Sequence, residues 1–256
     1  MRRHRVLVPQ SDETVLSGLC ALGIMTKAPE PGKVKTRLTP PLTAEEAADL
    51  NRCFLRDIAG SIAIAGKERR SEGVAVYMPV GAEAAYENIL PRDFYLIPQR
   101  GDAFGQRLVV AAEDLFAAGF ASVCLINSDS PTVPSTTFVE AVGELAKPGD
   151  RVVLGPSDDG GYYLIGVKNL HARLFEEIEW STERVLAQTL ERAAEIGVDV
   201  HQLPAGYDVD DGTTLQRLCD ELLGATERST SNKAPNTRKF LSDIVDREGR
   251  GRIWPV

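Results

Sequence analysis

Positive charge, cysteine and histidine are all scarce in this chain of 256 residues. It has 29 Lys and Arg against 37 Asp and Glu, a formal charge of -8. That balance excludes the basic face of a duplex nucleic-acid binder and disfavours adhesion to an anionic membrane. Cys20, Cys53, Cys124 and Cys219 are scattered with no C-x-x-C pair. They form neither a zinc motif nor a disulfide framework, and a reducing cytoplasm suits them. Cys124 sits inside an apolar run and reads as core. His4, His171 and His201 have no metal or triad spacing. No apolar run approaches the roughly 18 residues of a membrane span. The basic start Met1-Arg2-Arg3-His4-Arg5 is followed only by Val6-Leu7-Val8-Pro9, too short for a secretory segment. There is no internal repeat, no G-x-G-x-x-G fingerprint and no G-x-S-x-G nucleophile elbow.

What the chain does have is alternation. Apolar runs at 21–26, 73–79, 94–98, 122–127, 151–155, 162–167 and 198–203 read as strands. Several are apolar throughout, as in strands covered on both faces. Between them, 105–118, 135–146, 182–196 and 213–223 have helical spacing. Thr43-Ala44-Glu45-Glu46 is a capping box that opens a helix to about residue 65. Thr182 reads as an N-cap and Gly197 as a helix stop. This pattern predicts a three-layer α/β/α fold with a mainly parallel sheet. Residues 1–18 read as an N-terminal extension and 19–223 as the folded catalytic domain. Residues 224–256 read as a polar, flexible C-terminal tail in which Ile253-Trp254-Pro255 could dock.

The densest signal is Lys27-Ala28-Pro29-Glu30-Pro31-Gly32-Lys33-Val34-Lys35-Thr36-Arg37-Leu38, between the first strong strand and the first long helix. It is not a Walker A loop, because Lys27 and Val34 stand where that loop needs Gly and Ser or Thr. It remains a proline-stiffened loop with Lys27, Lys33, Lys35 and Arg37 at the sheet edge where α/β proteins bind ligands. Four cations there call for an anion, most economically a nucleotide phosphate chain.

Three acidic clusters follow. In Asn127-Ser128-Asp129-Ser130-Pro131, Asp129 lies just past a strand and suits Mg²⁺ or Mn²⁺, or else an Asx-turn. In Tyr207-Asp208-Val209-Asp210-Asp211-Gly212, either Asp210 or Asp211 could cap the next helix or meet a metal. Gly155-Pro156-Ser157-Asp158-Asp159-Gly160-Gly161-Tyr162 reads as a tight hairpin that also exposes amides to a substrate. The loop Gln99-Arg100-Gly101-Asp102-Ala103-Phe104-Gly105-Gln106-Arg107 could contact a nucleotide through Gly105 and Gln106, or cap its helix. Trp180 packs at a helix entry or walls a substrate.

In this order the motifs resemble a bacterial family of uncharacterised, glycosyltransferase-like proteins, the DUF2064 type, of the GT-A or nucleotide-diphospho-sugar-transferase-like group. The likeness spans roughly residues 20–223. It rests on the cationic loop, the Asn127–Pro131 block, Asp159-Gly160-Gly161-Tyr162-Tyr163-Leu164-Ile165-Gly166, Trp180-Ser181-Thr182 and Tyr207-Asp208-Val209-Asp210. The loop is also similar to that of phospholactate guanylyltransferases, and the layout, more distantly, to molybdenum-cofactor nucleotidyltransferases. The resemblance implies that Lys27, Lys35 and Arg37 face nucleotide phosphates; Gly32 and Lys33 of the same loop are expected to join them. It implies that Asp129 and Asp210 ligate a metal, and that Asp159, Gly160 and Gly161 border an acceptor, with Tyr162 expected beside them. Relatives continue the last block with Thr-Pro-Glu-Asp-Leu, whereas this chain has Asp211-Gly212-Thr213-Thr214-Leu215.

The expected activity is Mg²⁺-dependent transfer of a nucleotidyl group from an NTP to a small phosphorylated acceptor. Lys27, Lys35, Arg37 and Asp129 are its catalytic group. An NDP-sugar glycosyltransferase is the alternative, and a non-catalytic nucleotide binder the third reading.

Overall fold

The strands expected from the apolar runs assemble into one sheet in the computed structural model, which describes residues 4–9, 16–224 and 233–254. The basic start Met1–Arg3, residues 225–232 and Pro255 lie outside the described residues. The strands are β1 (Arg5–Val6), β2 (Cys20–Lys27), β3 (Ser71–Met78), β4 (Tyr95–Pro98), β5 (Ser122–Ile126), β6 (Arg151–Pro156), β7 (Tyr162–Val167) and β8 (Asp199–Gln202). The helices are α1 (Ala44–Glu68), α2 (Phe104–Ala117), α3 (Ser135–Ala146), α4 (Val185–Glu195), α5 (Gly212–Leu223) and α6 (Pro235–Glu248). The sheet order is β1-β4-β3-β2-β5-β7-β6-β8. Only β7 runs against its neighbours, β5 and β6. It does so because β6 and β7 form a hairpin, closed by Gly160 N–H donating to Ser157 O at 3.0 Å.

Period-two alternation gives every central strand two buried faces. On one face Leu22, Ile24, Ala75 and Tyr77 pack against Leu55, Ile58 and Ile62 of α1 and Phe138 of α3. On the other, Ala21, Val74, Val76 and Leu125 pack against Leu108, Ala111 and Leu115 of α2 and Ala193 of α4. This is the expected three-layer arrangement. All four cysteines are buried free thiols. The Thr43 capping box forms with Glu46 as expected.

Helix α4 starts at Val185 rather than at Thr182. The Thr182 hydroxyl donates to Glu179 O at 2.7 Å, and Ser181 adopts φ 66°. The chain is therefore turning where apolar spacing alone suggested a helix.

Both chain ends depart from the sequence expectation. Within the expected extension, Arg5–Val6 adds an edge strand along β4, and Leu7 and Leu16 are buried. Two residues are too few to show a period. Within the expected flexible tail lies α6, whose Leu241 and Ile244 join Phe54 of α1 and Leu215, Leu218 and Leu222 of α5 in a third core. Its N-terminus is capped from outside: Asp57 on α1 accepts from the N–H groups of Asn236 and Thr237 at 3.0 and 2.8 Å. Trp254 is buried, and its indole N–H donates to Asp220 at 2.6 Å. The polar composition of 224–256 concealed these few anchors, because a helix capped by a distant aspartate needs no local cap signal.

Candidate functional site

The cationic loop leaves β2 at Lys27 and is fixed from several sides. Ala28 N–H donates to Met78 O at 2.8 Å, Lys33 N–H to Glu30 O at 3.0 Å, and Arg52 of α1 to Pro29 O at 2.7 Å. Gly32 takes φ 71°, a left-handed turn that glycine permits without strain. Lys35 also lies in the left-handed region, at φ 48° and ψ 36°. For a residue with a Cβ that conformation costs on the order of 1 kcal/mol.

The reason for that conformation is visible at the end of the Lys35 side chain. Its Nζ lies 2.5 Å from Asp129 Oδ1 and 3.0 Å from Asp210 Oδ1. It also donates to Val209 O at 2.8 Å. The side chain is only 5% exposed and passes over the Phe54 ring. Burial opposes its charge, but Asp129 and Asp210 outweigh burial and hold its pKa above the ordinary lysine value. Lys35 is thus the tie between the two expected metal-binding carboxylates, not a free cation projecting into the cleft. The two acidic clusters are also joined by backbone, with Val209 N–H donating to Asp129 O at 2.9 Å.

Asp211, not Asp210, caps α5: its carboxylate accepts from Thr214 N–H at 2.8 Å. Asp210 is left facing the cleft. Asp208 had no assigned role, yet it sits in the same cluster. Asn127 Nδ2 donates to it at 2.7 Å and the Ser130 hydroxyl at 2.6 Å. Burial and the Asp129 charge push its pKa up to about 6, against those hydrogen bonds.

Two compartments meet at Asp129 and Asp210. The smaller, about 280 Å³, is lined by Lys27, Lys33, Lys35, Thr36, Arg37 and Asn51 together with the two shared aspartates. The larger, about 580 Å³, is lined by Asp159, Gly161, Tyr162, Trp180, Glu183 and Asp208, with an apolar floor from Met25, Leu108 and Ile165. Arg37 and Ser128 line both.

The remaining expected residues divide accordingly. Lys27, Lys33, Arg37, Asp159, Gly161 and Tyr162 line the cleft; Gly32, Gly105, Gln106 and Gly160 do not. Gln106 accepts from Asp102 N–H at 3.0 Å, so it caps its own loop. Gly105 lies beneath Trp180, where a Cβ would approach the indole to 2.5 Å. Gly160 has φ 85° and faces the Glu183 backbone, where a Cβ would meet the carbonyl oxygen at 2.1 Å. Both glycines let the 178–184 segment close over the cavity. The wall residues absent from the sequence expectation are Phe104, Glu183 and Asp208. Asp208 had a signal, the apolar–acidic alternation around Val209; Phe104 and Glu183 had none beyond proximity to a glycine loop and to Trp180.

Among the described residues, no group of three or more His, Cys, Asp or Glu is arranged to hold a metal. Asp129 and Asp210 supply two carboxylates. Nor is any helix of the described residues long and apolar enough to cross a membrane.

A family model described as uncharacterized protein conserved in bacteria, DUF2064, matches residues 63–182. That stretch contains Asp129 and the Asp159–Gly161 turn but not the cationic loop or Asp210. The chain is 28% identical to a protein from Desulfovibrio desulfuricans provisionally assigned as a nucleotide-diphospho-sugar transferase. The match has a TM-score of 0.76 and covers 90% of this chain and 97% of that one. A nucleotidyl transferase from Methanothermobacter is 14% identical at TM-score 0.53, over 81% of this chain and 99% of its own. A CMP:2-keto-3-deoxy-manno-octonic acid synthetase complexed with CTP is 13% identical at TM-score 0.50, over 82% and 100%. No curated protein matches the chain in sequence. The fold is therefore that of the nucleotide-diphospho-sugar-transferase-like group, shared by sugar transferases and nucleotidyltransferases alike.

Proposed function

We propose that the chain is a nucleotidyltransferase that moves a nucleotidyl group from an NTP to a small acceptor and releases pyrophosphate. The observation that carries this reading is the meeting of a cationic loop with two aspartates through Lys35. Lys27, Lys33 and Arg37 present charge to a phosphate chain at one side of that junction. Lysines supply point charges and Arg37 can grip two oxygens. The relatives of this fold include a nucleotidyl transferase and a synthetase seen with CTP, which fits a triphosphate donor.

Asp129 and Asp210 fit a divalent ion by donor chemistry. Mg²⁺ prefers oxygen and is usually held by one or two carboxylates, with substrate phosphates and water completing its shell. Two carboxylates, with no group of three or more ligating side chains among the described residues, meet that description. Bound there, such an ion would neutralise charge developing on phosphate oxygens. The chain's own residues do the rest. Lys27, Lys33 and Arg37 hold the pyrophosphate in line as its bond to the α-phosphorus breaks, which is mainly a matter of positioning and electrostatics. Asp159, Gly161 and Tyr162 border the acceptor. An ionised phosphate acceptor needs no base; a hydroxyl acceptor would pass its proton to Asp159 in the same cavity.

One observation favours an NDP-sugar glycosyltransferase as the second reading: the larger compartment is big enough to take a sugar beyond the diphosphate. A thermal-shift panel with Mg²⁺ separates the two. Stabilisation by one NTP above all NDP-sugars supports nucleotidyl transfer. Stabilisation by an NDP-sugar with no response to any NTP overturns it.

A further inference from the structure

Helix α1 carries two buried polar side chains, Asn51 and Asp57, and the fold accounts for one of them. Asp57 caps α6 by accepting from the N–H groups of Asn236 and Thr237. Asn51 is only 3% exposed, and its Oδ1 is buried with no hydrogen-bond partner among the described residues. Of the described residues that line the cationic compartment, Asn51 is the one that holds such an orphaned atom.

Nothing in the helix calls for an amide at that position. Residues three and four places away share a helix face. For Asn51 these are Ala47, Ala48, Phe54 and Leu55, all buried and apolar. A buried acceptor without a donor destabilises the fold, and asparagine is a poorer helix former than alanine or leucine. An apolar side chain would serve α1 better on both counts. A local rule broken at the wall of a cleft, with no compensating contact in the protein, points to a ligand that supplies the contact.

The surroundings say what kind of ligand. Lys27, Lys33 and Arg37 line the same compartment. Arg52, the next residue on α1, donates to Pro29 O at 2.7 Å and so holds the loop against the helix. The amide and the loop cations therefore border one anion site from two sides. A fully ionised phosphate oxygen accepts hydrogen bonds and donates none, so it takes the Nδ2 end of the amide. The Oδ1 end is left for a lysine ammonium group of the same lining.

Resting on the phosphate-binding role of the cationic loop, we propose that Asn51 is a phosphate-binding residue, the uncharged donor of that compartment. It is retained for the ligand at the expense of the helix that carries it.

The test uses the full chain with pyrophosphate as the probe, bound in Mg²⁺ buffer and read by calorimetry. Asn51→Ala and Asn51→Leu should each unfold in urea at or above the wild-type midpoint when no ligand is present. Each should weaken pyrophosphate by about fivefold or more. That factor should be the same at about 50 and about 500 mM salt, because the lost donor is neutral, whereas the loss in Lys27→Ala shrinks as salt rises. Asn51→Asp, which puts a negative charge in the same place, should weaken binding further at low salt. The proposal is overturned if affinity stays within about twofold of wild type in both Asn51→Ala and Asn51→Leu. It is also overturned if both variants unfold below the wild-type midpoint, which would make the amide structural, or if their loss shrinks with salt as that of Lys27→Ala does. A wild type that binds pyrophosphate and loses it in Lys27→Ala but not in the Asn51 variants keeps the phosphate-loop reading and removes Asn51 alone. Failure of pyrophosphate and every NTP to bind the wild type would sink that reading and, with it, the proposal that rests on it.

Discussion

The two compartments of the cleft share Asp129 and Asp210 but are built in different ways. The cationic side comes from one continuous loop, Lys27 to Arg37, with Asn51 behind it. The acidic, aromatic side is gathered from β2, the start of α2, β5, β7, the 178–184 segment and the stretch before α5. A single loop can be rigid by its own prolines and local hydrogen bonds. A wall drawn from six segments depends on every one of them packing correctly. Charge is thereby divided across one pair of aspartates, with the lysines on one side and most of the carboxylates on the other.

The sharpest way to break that division is to remove the shared carboxylate. Asp129→Asn should cut turnover, once a substrate pair is found, by about two orders of magnitude, ~3 kcal/mol of transition-state stabilisation. Metal-dependent nucleotide binding should weaken, while the far-ultraviolet circular dichroism stays native. Unchanged Mg²⁺-dependent binding would remove Asp129 from the junction.

Lys35→Met comes next and acts on stability. It leaves two carboxylates facing each other without their counter-ion. Breaking a buried pair typically costs about 3–5 kcal/mol. Asp129 and Asp210 side chains are 31% and 48% exposed, so solvent screening should reduce the loss to about 2 kcal/mol. Chemical denaturation should show a lower midpoint with an unchanged slope. An equal midpoint would mean that Lys35 is not the tie.

A smaller effect is expected on the cationic side alone. Lys27→Ala should weaken pyrophosphate binding about tenfold, or ~1.4 kcal/mol. The loss should shrink as salt rises, because the site is open to solvent. Unchanged pyrophosphate affinity would remove Lys27 from the phosphate site.

The smallest effect lies outside both compartments and serves as their control. Glu46 pairs with Arg252 and with the Thr43 N–H, fastening the last turn to the start of α1. Burial pushes the Glu46 carboxyl up, but those hydrogen bonds outweigh it and leave its pKa below the ordinary 4.5. A depressed carboxylate stabilises the fold fully above its unfolded value and loses that contribution as the pH falls through the folded value. Stability of the wild type relative to Glu46→Gln should therefore be constant above roughly pH 5 and converge below pH 4.5. The difference should stay under about 1 kcal/mol. A difference that grows toward low pH would contradict the pairing.

The cationic side was legible in the sequence because its residues are neighbours in the chain. The Asp159–Gly161 turn was legible for the same reason, as an Asp-Gly hairpin signal. Asp129 could be singled out by its place just past an apolar strand, but not its partner, since Lys35 reaches Asp210 across 175 positions. Phe104 and Trp180 each sat in a motif, yet nothing local says that their rings meet. Helix α6 was read as flexible because its buried face is short and its cap, Asp57, belongs to another helix.

The sequence alone determined the alternation of strands and helices, the Thr43 capping box and the stiff cationic loop. These follow from backbone periodicity, caps and turn chemistry, which act over a few residues. The tertiary structure alone decided that β2 lies between β3 and β5, that β7 is reversed, and that Lys35 therefore stands between Asp129 and Asp210. It also decided that the acids and aromatics of distant segments share one wall. Sheet order permutes the chain, and charges and rings act across a few ångströms of space whatever separates them in sequence.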